Sequence, residues 1–176
     1  ILLDENFRPM ITDFGMSKSL EFGHSYSQSQ YGGTIPYQAP EILRNSPYDR
    51  KIDIYAYGIL MYEIIYDSFA FPELENGKLS AFDFRNKVIN ESYRPKFDFP
   101  VNPSLQQLIE QCWQDDPNKR PTFDEIYQKL SSFNIEDSNE YLLDDVDIEE
   151  LKLYIEDISM ITDFTEQLIH KISIFE

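Results

Sequence analysis

The sequence predicts a mainly helical domain entered through a short pair of strands, and three observations point there. The run from Ile52 to Tyr66 is apolar apart from Asp53, Gly58 and Glu63, which predicts a helix without a polar face, buried in a core. Two amphipathic segments follow it, each opened by a helix-capping residue. Ahead of it, Ile1-Leu2-Leu3 and Pro9-Met10-Ile11 flank the polar stretch Asp4-Glu5-Asn6, the pattern of two short strands joined by a turn.

After the strands, residues 16–31 are rich in Ser and Gln and lack any apolar period, so they read as a long exposed loop. The Ile52–Tyr66 run is too short for a membrane span, which needs about 20 apolar residues with few charges, and it carries two acids. Asn102-Pro103 supplies an N-cap and a first-turn proline, and Leu105, Leu108, Ile109, Cys112 and Trp113 follow at helical spacing. Thr122 and Glu125 form a capping box ahead of an inner face expected at Phe123, Ile126, Tyr127, Leu130 and Phe133. Cys112 sits on the apolar stripe of its helix and reads as a buried small hydrophobe.

The charge distribution divides the chain. It has 176 residues, with 32 acids against 15 bases and a net charge of −17. That balance excludes nucleic-acid binding through overall charge. Residues 134–176 hold 13 acids and two lysines, a net of −11, whereas residues 1–133 carry only −6. A domain at 1–133 and an acidic, helix-patterned tail at 134–176 are expected, the tail either docking a partner or packing on its own domain. Apolar residues at 41% and aromatics at 15% are more than a disordered acidic chain carries. The single cysteine, Cys112, rules out an internal disulfide framework and points to an intracellular, cytoplasmic setting.

Four segments in fixed order carry the chemistry. They are Asp13-Phe14-Gly15 after a strand; Gly33-Thr34-Ile35-Pro36-Tyr37-Gln38-Ala39-Pro40-Glu41; Asp53 with Gly58 in the apolar helix; and Cys112-Trp113 followed by Asp116-Pro117 and Arg120-Pro121. Together they resemble the C-terminal lobe of a eukaryotic protein kinase over about residues 1–133, most closely the tyrosine-kinase-like group, of which Trp113 with Asp116-Pro117 is typical. The implied fold is the helical lobe of a kinase-like α+β fold, with the upper lobe absent. The pentapeptide Met10–Phe14 recurs as Met160–Phe164, but Thr165 replaces the glycine and no strand precedes it, so the second copy is expected to be inert.

The resemblance implies roles residue by residue. Asp13 would ligate the Mg²⁺ that bridges the phosphates of ATP, since a hard cation takes carboxylate oxygen. Phe14 would pack toward the upper lobe, and Gly15 would permit torsions that a side chain opposes. Leu2 would lie under the adenine, with Ile1 and Leu3 packed on Leu60 and Ile64; a plain core leucine is an equal reading of Leu2. Asp13 to Glu41 would be the activation segment, with Ser25, Tyr26, Ser27, Ser29 and Tyr31 as candidate phosphoacceptors, although a merely polar loop accounts for any one of them. Gly33, Thr34 and Tyr37 would form the peptide-docking turn of Ser/Thr kinases, leading into Ala39-Pro40-Glu41. Glu41 and Arg120 would form a buried ion pair, and Asp53 would accept hydrogen bonds from a catalytic-loop backbone.

Other family parts are missing from these residues. The six glycines form no Gly-x-Gly-x-x-Gly, no lysine sits in a Val-Ala-x-Lys strand, and neither His24 nor His170 precedes Arg-Asp. The chain opens on Ile1 without an initiator Met and reads as a cut one residue past the catalytic loop. Three readings follow: the C-terminal part of an active Ser/Thr kinase acting on protein substrates, a pseudokinase-type interaction module, or a non-functional fragment. In each, the chain alone is expected to bind little or no Mg-ATP and to transfer no phosphate.

Overall fold

The computed structural model describes residues 1–5, 8–17 and 33–132. The expected tail helix, the second Met-Ile-Thr-Asp-Phe copy and the five candidate phosphoacceptors lie outside these residues.

Strands β1 (Leu2–Leu3) and β2 (Pro9–Met10) pair antiparallel, with Leu2 opposite Met10. The turn between them is closed by the Asp4 N–H donating to the Arg8 carbonyl at 3.0 Å and the Arg8 N–H donating to Asp4 Oδ1 at 2.9 Å. A two-residue strand pair buries little by itself. Leu2 is 59% exposed, Ile1 and Leu3 are comparably open, and Ile64 is 70% exposed. The packing of Ile1 and Leu3 on Leu60 and Ile64 expected from the sequence is therefore corrected.

Six α-helices among the described residues carry the rest. They are α1 (Pro40–Leu43), α2 (Lys51–Tyr66), α3 (Pro72–Glu75), α4 (Ala81–Glu91), α5 (Pro103–Cys112) and α6 (Phe123–Ser131). Helix α2 is the axis of the core, with Ile54, Tyr55, Gly58, Ile59, Met61 and Tyr62 buried. It is not buried on all sides, however: Asp53, Tyr57, Leu60 and Ile64 form a stripe at helical spacing that is half-buried or exposed. Helix α5 lies against α2 through Leu108, Ile109 and Cys112. Gly58 makes that approach possible, because a Cβ there would come within 2.8 Å of Cys112 Cβ.

The caps follow the sequence. Asn102 accepts hydrogen bonds from the Ser104 and Leu105 N–H groups, and Thr122 with Glu125 makes a reciprocal capping box. The inner face of α6 is narrower than its pattern predicts. Ile126 is buried and Leu130 half-buried, while Phe123 is half exposed and Tyr127 is 65% exposed. The Phe123 ring instead meets Tyr57 of the open α2 stripe edge-on at 5.6 Å. Helices α3 and α4 add a second part of the core, where Phe71 meets Phe84 edge-on at 4.7 Å and Val88 is fully buried. Each fully buried apolar side chain of this kind contributes about 1.5–3 kcal/mol.

Candidate functional site

The residues singled out by the sequence fall in three places. The first is the end of β2. Asp13 has φ 62° and ψ 60°, a left-handed conformation that aspartate tolerates better than most residues, and it starts the short 3₁₀ turn Phe14–Met16. The demand for special torsions thus falls on Asp13. Gly15 has no positive φ, and a Cβ there would rest in ordinary contact, 3.5 Å from Asp13 Oδ1. Asp13 and Leu2 are exposed, and Phe14 is 66% exposed. Among the described residues no three His, Cys, Asp or Glu side chains group to hold a metal. Asp13 fits one ligand position of a Mg²⁺ site, and one carboxylate does not make such a site.

The second place is the turn from Gly33 to Glu41. Gly33 has φ 138°, which a side chain would resist, and Thr34 then starts the 3₁₀ turn Ile35–Tyr37. The Gln38 side-chain amide donates to the Gly33 carbonyl at 3.0 Å and closes the loop. Thr34 is exposed beside it, while Ala39 and Pro40 are buried at the start of α1. The Tyr37 hydroxyl donates to Glu63 Oε2 at 2.6 Å, and Glu63 Oε1 accepts the Ala70 N–H at 2.9 Å. Glu63 therefore ties the Gly33–Glu41 turn to α2 and to the loop after it. Burial, and then the Glu63 carboxylate that its proton is donated to, push the Tyr37 hydroxyl well above the usual tyrosine range.

The third place is the floor beneath that turn. Arg120 donates to both oxygens of Glu41, Nη1 to Oε1 at 2.6 Å and Nη2 to Oε2 at 2.8 Å. Its remaining donors reach the carbonyls of Gln114 at 2.8 Å, Lys51 at 2.9 Å and, at 3.5 Å, Asp115. Both residues are buried, so the pair is desolvated and nearly fully hydrogen-bonded. The Tyr55 ring is flanked by two guanidinium groups, Arg94 at 5.1 Å and Arg120 at 5.3 Å from its centroid. The Tyr55 hydroxyl is buried without a hydrogen-bond partner.

Trp113 caps α5 and packs on Tyr62 and Phe97, and its carbonyl accepts from Arg94 Nε at 2.9 Å. Burial pushes the Cys112 thiol up to about 12, which keeps it protonated and unreactive. Asp53 lies exposed on the open stripe of α2, where partial loss of hydration raises its carboxyl pKa, and no described residue donates to its side chain. Glu63 and Lys51 are the residues whose roles the sequence did not reveal. Lys51 Nζ donates to the carbonyls of Arg120 at 2.5 Å and Pro121 at 3.0 Å. The signal for Glu63 was an acid in an apolar run; Lys51 gave none.

Known proteins are similar to this chain. The family model described as "Protein kinase domain" matches residues 1–130. The dual specificity protein kinase shkD of Dictyostelium discoideum is 34% identical over 136 residues, which cover 77% of this chain and 18% of that protein. The serine/threonine-protein kinase STY17 of Arabidopsis thaliana is 32% identical over 132 residues, 74% of this chain and 22% of that protein. The probable serine/threonine-protein kinase SIS8 of the same plant is 33% identical over 132 residues, 74% of this chain and 12% of that protein. The chain thus spans less than a quarter of the length of these relatives.

Proposed function

The chain belongs to the protein kinase family, and on that premise we propose that it is the helical, substrate-docking lobe of a phosphotransferase that moves the γ-phosphoryl group of ATP to serine and threonine hydroxyls of proteins. The observation that carries the reading is the anchoring of the turn Gly33–Glu41 from two sides, by Glu63 on Tyr37 and by Arg120 on Glu41. A docking turn that must hold a peptide against a reacting phosphate gains from being fixed before the peptide arrives. Exposed Thr34 stands on this fixed turn, and the absence of a tryptophan beside Tyr37 favours serine and threonine over tyrosine as acceptors. The relatives named as dual specificity kinases support tyrosine as a secondary acceptor.

Asp13 would hold Mg²⁺, which neutralises charge on the phosphates when bound, and Leu2 would meet the adenine. The exposure of Asp13 at the end of β2 suits a group that presents its carboxylate to a ligand. With one metal ligand and no phosphate-binding glycine loop, this chain alone transfers no phosphate and binds Mg-ATP too weakly to raise its melting temperature at millimolar ligand. No described helix is long and apolar enough to cross a membrane.

The test joins residues 1–176 to the upper lobe and catalytic loop of a tyrosine-kinase-like relative and assays peptide phosphorylation. The hybrid is expected to phosphorylate Ser and Thr peptides and to lose that activity with Asp13→Asn. Phosphorylation of tyrosine peptides alone, or activity from residues 1–176 without the joined part, would overturn the reading.

A further inference from the structure

A cavity of about 490 Å³ is lined by residues from the start of α2, the end of α5, the segment 118–122 and α6. Lys51, Lys119 and Lys129 all line it, in a chain whose net charge is −17. Among the described residues, ion pairs join Lys87 to Glu91, Arg94 to Asp115 and Arg120 to Glu41, and none takes one of these three lysines.

Two of the three ammonium groups are held in place. Lys51 is fixed by the carbonyls of Arg120 and Pro121, which leaves one of its three N–H donors free. Lys129 donates to Gln111 Oε1 at 2.6 Å and keeps two. Lys119 is exposed at the rim. The acid in the lining, Glu125, is engaged by the N–H and hydroxyl of Thr122 in the capping box. Those bonds, and after them the charges of Lys51 and Lys129, hold its carboxyl below the usual range, as a locally positive field does.

We propose that this cavity is an oxyanion site that takes a phosphate dianion through Lys51, Lys119 and Lys129, carried on a phosphorylated side chain or free in solution. Ammonium groups act as point charges toward phosphate, and donors already anchored lose little freedom on binding. The site uses neither Asp13 nor a residue of the Gly33–Glu41 turn as a ligand, although Arg120 in its lining also anchors Glu41.

The experiment titrates the full chain into a fluorescein-labelled Gly-Ala peptide carrying one phosphoserine, read by anisotropy. Controls carry serine or glutamate in its place, and unlabelled inorganic phosphate serves as competitor. The phosphoserine peptide is expected to bind more tightly than both controls, and Lys119→Ala with Lys129→Ala to weaken it about fivefold or more. Lys119→Ala alone, at an exposed position, is expected to weaken it in the same direction if the double variant melts early. Displacement by inorganic phosphate identifies the free ion as a sufficient ligand, and failure to displace identifies the phosphorylated peptide; both outcomes support the site. Equal binding of the serine or glutamate peptide, unchanged binding by the variants, or an equal loss in Lys87→Ala would overturn it.

Discussion

The hydroxyl of Tyr37 and the carboxylate of Glu63, 26 positions apart in sequence, meet in a 2.6 Å hydrogen bond that joins the Gly33–Glu41 turn to the central helix. Tyr37→Phe removes only the donor and leaves a half-buried carboxylate oxygen without this partner. The expected cost is about 1–3 kcal/mol, measured by urea unfolding. In the active hybrid, peptide KM should rise while KM for ATP stays near its starting value. A loss confined to ATP would remove the docking role from this pair.

Alkaline pH should destabilise the fold through its tyrosines. Burial and then acceptor or charged neighbours raise the Tyr62 and Tyr93 hydroxyls to about 12, and Tyr37 also lies above its ordinary value of 10. A folded-state pKa above the unfolded one gives stability that is complete below pH 10 and is lost as pH rises toward 12. Melting temperature should therefore fall over that window, and Tyr93→Phe should flatten part of the fall. An unchanged slope in Tyr93→Phe would remove this residue from the explanation.

The buried pair of Glu41 and Arg120 gives a third expectation. Arg120→Met strands the Glu41 carboxylate and should cost about 3–5 kcal/mol by chemical denaturation. Combining it with Glu41→Leu should recover much of that loss, because no charge is then left buried. A double variant as unstable as the sum of the singles would show that the two residues are not coupled.

Gly58→Ala should destabilise by about 1–3 kcal/mol through overpacking against α5. Cys112→Ala should not rescue it, since the atom in the way is the Cys112 Cβ, which alanine retains. Melting curves of the two single variants and the double variant decide this.

Tyr55→Phe tests the orphaned hydroxyl. The ring stays between Arg94 and Arg120 while an unsatisfied buried oxygen is removed, so stability should hold or rise by up to about 2 kcal/mol. A loss of similar size would mean that the hydroxyl has a partner in solution, such as an ordered water.

Periodicity and capping residues locate α2, α5 and α6, because those helices carry long apolar patterns or local hydrogen-bonding boxes. The short helix α3 and the polar α4 escape, since α4 buries only Phe84 and Val88 and its cap at Ser80 is a single residue. The pairing of Glu41 with Arg120 is legible only through motif order; no local rule links residues 79 apart. Glu63 stands out as an acid among apolar neighbours, but sequence names neither Tyr37 nor Ala70 as its partner. The open stripe of Asp53, Tyr57, Leu60 and Ile64 is not legible in the sequence, because periodicity shows which residues are apolar and not what covers them.

The separation between Glu41 and Arg120 also bears on how the protein is made. A ribosome adding about 5–20 residues per second needs roughly 4–16 seconds to travel from one to the other. Over that interval the nascent α1 carries a carboxylate it cannot yet bury, and α2 lacks the α5 surface it packs against. Stable closure of this fold must wait for Arg120 to leave the exit tunnel, so translation pauses placed far enough downstream for Arg120 to have emerged leave folding unhindered, whereas earlier pauses prolong an open, chaperone-accessible intermediate.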